Sequence, residues 1–250
     1  MKNIKECREF LKDSMRKKID FRLTDQSRGV PAPPIQKPYN PSAALYDLPP
    51  VDGLAGLGKI DLFNAVKKRR SRRRYLDSSL TLAELSFLLW STQGIREVHG
   101  NSSLRTVPSA GARHALETYL YARLVEGLAE AIYRYLPLDH RLVTICDEPS
   151  QDLSRLMTEA CLGQSFTGRS AVTLVWTAVP YRMEWRYLQS AHKVIAIDAG
   201  HVCQNLYLAC ESIGAGTCAV AAYDQSKLDQ LLGVDGEEEF AIYLAPVGKV

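Results

Sequence analysis

Residues 193–217 read KVIAIDAGHVCQNLYLACESIGAGT. Lys193–Ile213 reads as one long helix that is apolar nearly all round, so it must be buried in a core or against a second subunit. Gly214 and Gly216 end it. Asp198, His201, Gln204, Asn205 and Glu211 interrupt the apolar run, so it is not a membrane span. On a buried helix those polar residues need partners, either across an interface or on a bound cofactor.

Outward from this helix, the patterning predicts strands and helices in alternation. Upstream, AVTLVWTAV (Ala171–Val179) is a continuous β-prone run, as expected of a strand covered on both faces. Thr118–Val125, Ala131–Leu136 and Leu142–Ile145 read as further strands, and Leu153–Leu162 as a helix. Downstream come a short helix at Gln225–Leu231 and a last strand at Phe240–Ala245. A helix opens at Thr81, with Glu84 completing a capping box, carries Leu82, Leu85, Leu88 and Leu89, and stops at Gly94. Leu62–Arg69 reads as a helix running into a basic cluster. No Rossmann glycine fingerprint and no G-x-x-x-x-G-K-[ST] loop interrupts the order. The fold class is α+β.

The first 60 residues differ in kind. An amphipathic stretch, Ile4–Phe21, predicts a short helix with Phe10, Leu11, Met15 and Ile19 at helical spacing. Gly29–Pro50 holds seven prolines in 22 residues, so it is an extended arm, either wrapped over the body or acting as a linker. The domain reading is an N-terminal helix and arm at 1–60 and a single folded unit at 61–250.

Composition limits the function classes. The chain has 250 residues, 46% of them apolar, and no stretch of 18 uninterrupted apolar residues. The N-terminus lacks an apolar signal core, which predicts a cytoplasmic protein with no membrane association. The net charge of +3 is concentrated: KKRRSRRR at 67–74 carries seven of the 31 cations, and the remainder is slightly acidic. One short cluster suggests a local anionic partner rather than a nucleic-acid coat. Six cysteines without a C-x-x-C pair and five histidines without H-E-x-x-H or H-x-x-x-H predict reduced thiols and no metal site.

Two further stretches carry candidate chemistry. In Arg69-Arg70-Ser71-Arg72-Arg73-Arg74-Tyr75, planar guanidinium forks around a serine hydroxyl suit a phosphate monoester, at about 1.5–3 kcal/mol per charged hydrogen bond. A solvated basic face or a nucleic-acid patch are the alternatives. Pro108-Ser109-Ala110-Gly111-Ala112-Arg113-His114 precedes a strand, and its small residues would let backbone approach a flat ligand.

Together these stretches resemble the FMN-dependent nitroreductase family, and within it the SagB-type dehydrogenases, over about residues 45–250. RRSRRRY resembles the family's phosphate clamp, PSAGARH its flavin loop, and DAGHVCQNLYLACESIGAGTCAVAAYD its long dimer-core helix followed by the flavin turn. EEFAIYLAPVGK resembles its closing strand. The resemblance implies a nitroreductase-like, antiparallel-dominated central sheet flanked by helices, and a homodimer with FMN at the subunit interface. Arg69, Arg70, Ser71 and Arg73 would bind the FMN phosphate and ribityl chain, with Lys249 added at the phosphate. Ser109, Ala110 and Ala112 of the other subunit would edge the isoalloxazine. The backbone of Ala221 and Ala222 would approach its reactive nitrogen. Ala112 replaces the family asparagine, so that polar contact is lost or made by Arg113, and Ala219 and Ala221 replace the proline and glutamate beside the flavin. Azoline-oxidising members use a Lys-Tyr pair; here the stretch is Trp185-Arg186-Tyr187, and arginine is a poor general base.

The implied activity is a two-electron, ping-pong oxidoreduction between a donor such as NAD(P)H and a small organic substrate, with Tyr187 and Arg186 as candidate catalytic residues and His192 and His201 behind them. A dehydrogenase of azolines in modified peptides is the second reading. The third is a non-catalytic, basic-cluster nucleic-acid-binding module, disfavoured because only Tyr75 could stack on a base there.

Overall fold

The computed structural model of the chain describes residues 4–146 and 152–250. Its helices are α1 (Ile4–Glu9), α2 (Leu62–Lys68), α3 (Leu82–Gln93), α4 (Leu153–Ala160), α5 (Ser165–Arg169), α6 (Tyr181–Tyr187), α7 (Ala191–Ser212) and α8 (Gln225–Leu232). Its strands are β1 (Leu45–Asp47), β2 (Ile95–His99), β3 (Ser102–Arg105), β4 (Leu116–Ala122), β5 (Ala131–Leu136), β6 (Arg141–Cys146), β7 (Val172–Ala178), β8 (Ala215–Thr217) and β9 (Phe240–Lys249).

Seven strands form one sheet in the order β1-β6-β5-β4-β7-β9-β8, every neighbouring pair antiparallel. The apolar run at 171–179 becomes β7, whose seven residues are all buried. Because side chains alternate across a strand, Val172, Leu174 and Trp176 enter one core while Val175 enters the other. The first core adds leucines of α3 and the buried stripe of α7; the second adds Leu153 and Met157 of α4 and Leu228 and Leu232 of α8. Helices thus cover both faces of the sheet. The α+β, antiparallel-dominated expectation is met.

The capping box forms as read: the Thr81 hydroxyl accepts from the Glu84 amide at 3.2 Å, and the Glu84 carboxylate accepts from the Thr81 amide at 3.0 Å. The long helix runs Ala191–Ser212, but the chain itself buries one stripe only: Ile195, Asp198, Ala199, Val202, Cys203, Leu206, Ala209 and Cys210. Its opposite face, including Ile197, is exposed. The N-terminal helix is shorter than expected. It breaks after Glu9 into short 3₁₀ turns, and no residue of α1 is buried. With nothing to pack against, an apolar stripe alone does not sustain a helix.

The proline-rich arm lies over the body and is held by buried polar groups. Arg134 donates to the Lys37 and Pro38 carbonyls at 3.0 and 2.9 Å, and Arg105 to the Ile35 carbonyl at 2.8 Å. Glu117 accepts from the Lys37 amide at 2.8 Å and pairs with the buried Arg182. Residues 45–47 add an edge strand to β6. No helix among the described residues is long and apolar enough to cross a membrane.

Candidate active site

The basic run leaves α2 as extended backbone and lies along the glycine turn that follows α7. Ser71 bridges Thr217, and the Arg72 amide donates to the Thr217 carbonyl at 2.9 Å. Gly216 is required here: a Cβ would sit 2.4 Å from Arg72 Cδ. Tyr207 of α7 joins the pieces. Its hydroxyl accepts from the Ala219 amide at 2.9 Å, which leaves its proton for the Ser71 hydroxyl, also at 2.9 Å. Its ring lies 5.2 Å below the Arg69 guanidinium. Tyr207 is invisible to motif reading because its partners are far away in sequence.

The donor set fits the phosphate and ring of FMN. Arg70, Ser71 and Arg73 are exposed, and of Arg69–Arg74 only Arg72 has a carboxylate partner among the described residues, Glu211 at 3.5 Å. The Ala221 and Ala222 amides, exposed in the turn after Val220, donate to nothing among the described residues. Cations without acids and backbone donors without acceptors are what an anionic, heteroatom-rich ligand supplies for. Lys249 is engaged elsewhere. Its ammonium is held by the second oxygen of the capping carboxylate, Glu84, and by the Ile213 carbonyl at 2.9 Å.

A second cluster forms around the small-residue loop. Ser109 accepts from the His114 amide at 3.0 Å, closing a turn in which Gly111, Ala112 and His114 all have positive φ (60°, 54° and 47°). Such backbone costs about 1–3 kcal/mol per non-glycine residue and collects at functional sites. Asp198 of α7 lies beneath: burial raises its carboxyl above the ordinary value, against the pull of the Ser109 hydroxyl and Ala110 amide. A cavity of about 350 Å³ opens beside the loop, lined by Arg96, Arg105, Ser109, Ala112 and His114 among others.

The structure brings this loop against the other candidate residues. A Cβ on Gly111 would lie 2.5 Å from the Tyr187 hydroxyl and 3.1 Å from Arg186 Nε. Tyr187 and Arg186 end α6, and Leu188 just beyond is again held at positive φ, 47°. Residues 25–30, leading into the arm, brace α6: Trp185 donates to the Val30 carbonyl at 2.9 Å, its own carbonyl accepts from the Gln26 amide at 3.0 Å, and Tyr181 donates to Asp25 at 2.8 Å. Arg113 is buried, donates to the Arg182 carbonyl at 3.1 Å, and stacks 4.8 Å over Trp185. His192 pairs with Glu184 at 2.6 Å; His201 is 3.9 Å from Asp198.

Two predictions follow from this loop. Gly111→Ala adds a methyl where Tyr187 sits, at a φ that alanine tolerates poorly; about 1–2 kcal/mol of stability is lost and Tyr187 is displaced. Urea unfolding and the Tyr187 environment read by fluorescence check this. His114 is the acid-sensitive element. Burial, with Arg105 and the other nearby cations, pushes its pKa from 6.5 down to about 3. The unfolded state therefore takes up a proton that the fold refuses, so stability is full above pH 6.5 and falls as pH drops toward 3. His114→Gln flattens this decline in a denaturation series across that window.

The sequence profile of the nitroreductase family matches residues 66–249. A nitroreductase-type protein of Methanocaldococcus jannaschii is 35% identical over 196 residues, 78% of this chain and 94% of the relative. The chain belongs to the nitroreductase family. It is therefore an oxidoreductase by class, in a family that generally uses flavin. The trifolitoxin-processing protein TfxB of Rhizobium leguminosarum bv. trifolii is 27% identical over 139 residues, covering 54% of this chain and 37% of TfxB. A crystal structure of a nitroreductase-type protein from Anabaena variabilis superposes with a TM-score of 0.68 at 23% identity. That alignment takes in 86% of this chain but only 43% of the other, so the chain spans less than half its length.

Proposed function

We propose that this nitroreductase-family protein binds FMN and passes two electrons, by alternating half-reactions, from a donor such as NAD(P)H to a small organic substrate. The observation that carries the reading is the unpaired donor set: arginines without acid partners, the Ser71 hydroxyl and two free amides, joined through Tyr207. Arg69, Arg70, Ser71 and Arg73 hold the phosphate end. The Ala221 and Ala222 amides serve the ring, and Ser109, Ala110 and Ala112 of a second copy edge it. FMN, when bound, supplies hydride acceptance and donation. The chain would supply the rest: backbone donors for the ring, and Tyr187 to orient the substrate or give it a proton.

A homodimer is part of the proposal. Leu62, Phe63 and Val66 of α2 are exposed beside α7, whose own outer face shows Ile197. An apolar face of this kind is ordinarily covered by a partner. Light scattering should give twice the chain mass.

The test is a pair of half-reactions on the purified protein without oxygen. NADH or NADPH should bleach the flavin absorption, and a nitroaromatic added afterwards should restore it; a spectrum that no donor changes would contradict the proposal. The second reading, dehydrogenation of azolines in a modified peptide, is favoured by the likeness to a toxin-processing protein. Arg186 opposes it, because a guanidinium stays protonated and cannot serve as base. Turnover of a thiazoline peptide by the wild type would favour that second reading.

A further inference from the structure

We propose that Arg113 and Arg186, beside the Tyr187 hydroxyl, form a subsite for a carboxylate, so that the organic substrate is an anion carrying that group. The inference rests on the oxidoreductase reading and names the substrate class it would take.

Three buried or half-buried cations crowd this corner, and among the described residues only one has an acid partner. Arg182, 2% exposed, is neutralised by Glu117. The nearest carboxylate on the same helix, Glu184, is held by His192. Arg113, only 5% exposed, has carbonyls for two of its nitrogens, Arg182 at 3.1 Å and Asn101 at 3.4 Å, while its Nη2 has no partner among the described residues. Arg186, half-buried, makes no ion pair among the described residues; its guanidinium lies 5.6 Å from the Tyr187 ring. A buried N–H without an acceptor is destabilising, and the neighbouring Arg186 charge adds repulsion. An anion placed between them removes both penalties.

The geometry also selects the anion. Arg113 is fixed in plane by Trp185 at 4.8 Å and by its two carbonyls, so its free N–H is already oriented before a ligand arrives. Arg186 is accessible enough to close on the second oxygen. Gly111 lets Arg186 and Tyr187 converge on the loop from which Arg113 projects two residues later. The fixed Nη2 of Arg113, the Arg186 guanidinium fork and one phenol match a planar, two-oxygen monoanion. A phosphate, with three acceptor oxygens and nearly two charges, would leave acceptors unmet.

The test compares 4-nitrobenzoate with its neutral isostere 4-nitrobenzamide as electron acceptors for the flavin-loaded enzyme. The wild type should show a KM for the carboxylate about 10- to 100-fold lower, as expected of one charged hydrogen bond. Arg186→Gln and Arg113→Gln should bring the KM ratio toward one, and Arg186→Lys should keep part of the preference. Equal KM values in the wild type, or a preference that survives both glutamine variants, overturns the subsite. If neither compound is turned over, the oxidoreductase reading is what fails. Calorimetric titration with benzoate and benzamide then decides the subsite separately: benzoate should bind the wild type and not Arg186→Gln, and no benzoate binding refutes it. Arg186 is half-exposed, so its variant folds even where the Arg113 variant does not.

Discussion

The Arg70→Gln/Arg73→Gln double variant is expected to bind FMN about 10²- to 10⁴-fold more weakly than the wild type. Each arginine offers the phosphate a charged hydrogen bond worth about 1.5–3 kcal/mol, and every 1.4 kcal/mol is tenfold in affinity. The effect should be specific to the ligand. Both side chains are exposed and neither has a carboxylate partner among the described residues, so removing them costs the fold little, within about 0.5 kcal/mol. Arg73 does lie 6.0 Å from the Phe166 ring, a contact too exposed to change that expectation. Quenching of FMN fluorescence on titration gives the affinity, and circular dichroism confirms an intact fold. Raising the salt concentration should weaken the wild type more than the double variant, since phosphate attraction is screened. Unchanged FMN affinity in the variant would remove the basic run from the site.

Glu117→Ala should produce the largest loss of stability, about 3–5 kcal/mol. Glu117 is 3% exposed and is the acid that Arg182 and Arg134 share, while its carboxylate also accepts the Lys37 amide. Its removal leaves buried cations uncompensated and an amide without an acceptor, which is the costly way to break a buried pair. The acid is held below its ordinary value because the two guanidinium groups together outweigh burial, itself the largest single influence. Its contribution is therefore present above the unfolded value near 4.5 and is lost as pH falls below it. Urea unfolding of Glu117→Ala, Arg182→Met and the double variant forms a cycle. Coupling of several kcal/mol is expected, with the double variant no worse than Glu117→Ala alone. Because Lys37 and Pro38 are held by the same network, limited proteolysis should also cut the arm faster in Glu117→Ala.

Local signals in the sequence were read correctly where the physics is local. The Thr81–Glu84 capping box, the strand at 171–179 and the helix ending near Gly214 each depend on residues a few positions apart, and each stands as expected. The reading was too generous at Ile4–Phe21, where no residue of α1 is buried and the chain passes into short 3₁₀ turns. It passed over the hairpin β2–β3, although Gly100-Asn101 between two short runs is a turn signal, and over α6 behind Pro180.

Long-range placements were beyond motif reading. Tyr207 is one more apolar-looking residue of a long helix until its hydroxyl is seen between Ser71 and Ala219. Lys249 looks available near the C-terminus, yet the carboxylate that caps α3 holds it. The approach of Gly111 to Arg186 and Tyr187 spans more than 70 residues, and no periodicity encodes it. Family resemblance supplied only the expectation of a phosphate clamp at 69–73 and a flavin loop at 109–112; it did not reveal that residues 25–30 buttress the helix carrying Arg186.

The central claim is that this chain is a flavoprotein whose arginine run holds FMN. An absorption spectrum of the purified protein, followed by heat release of the chromophore, tests it most directly. The account predicts flavin bands and about one FMN per chain, lost in the Arg70→Gln/Arg73→Gln variant. A colourless protein that takes up no added FMN would contradict it.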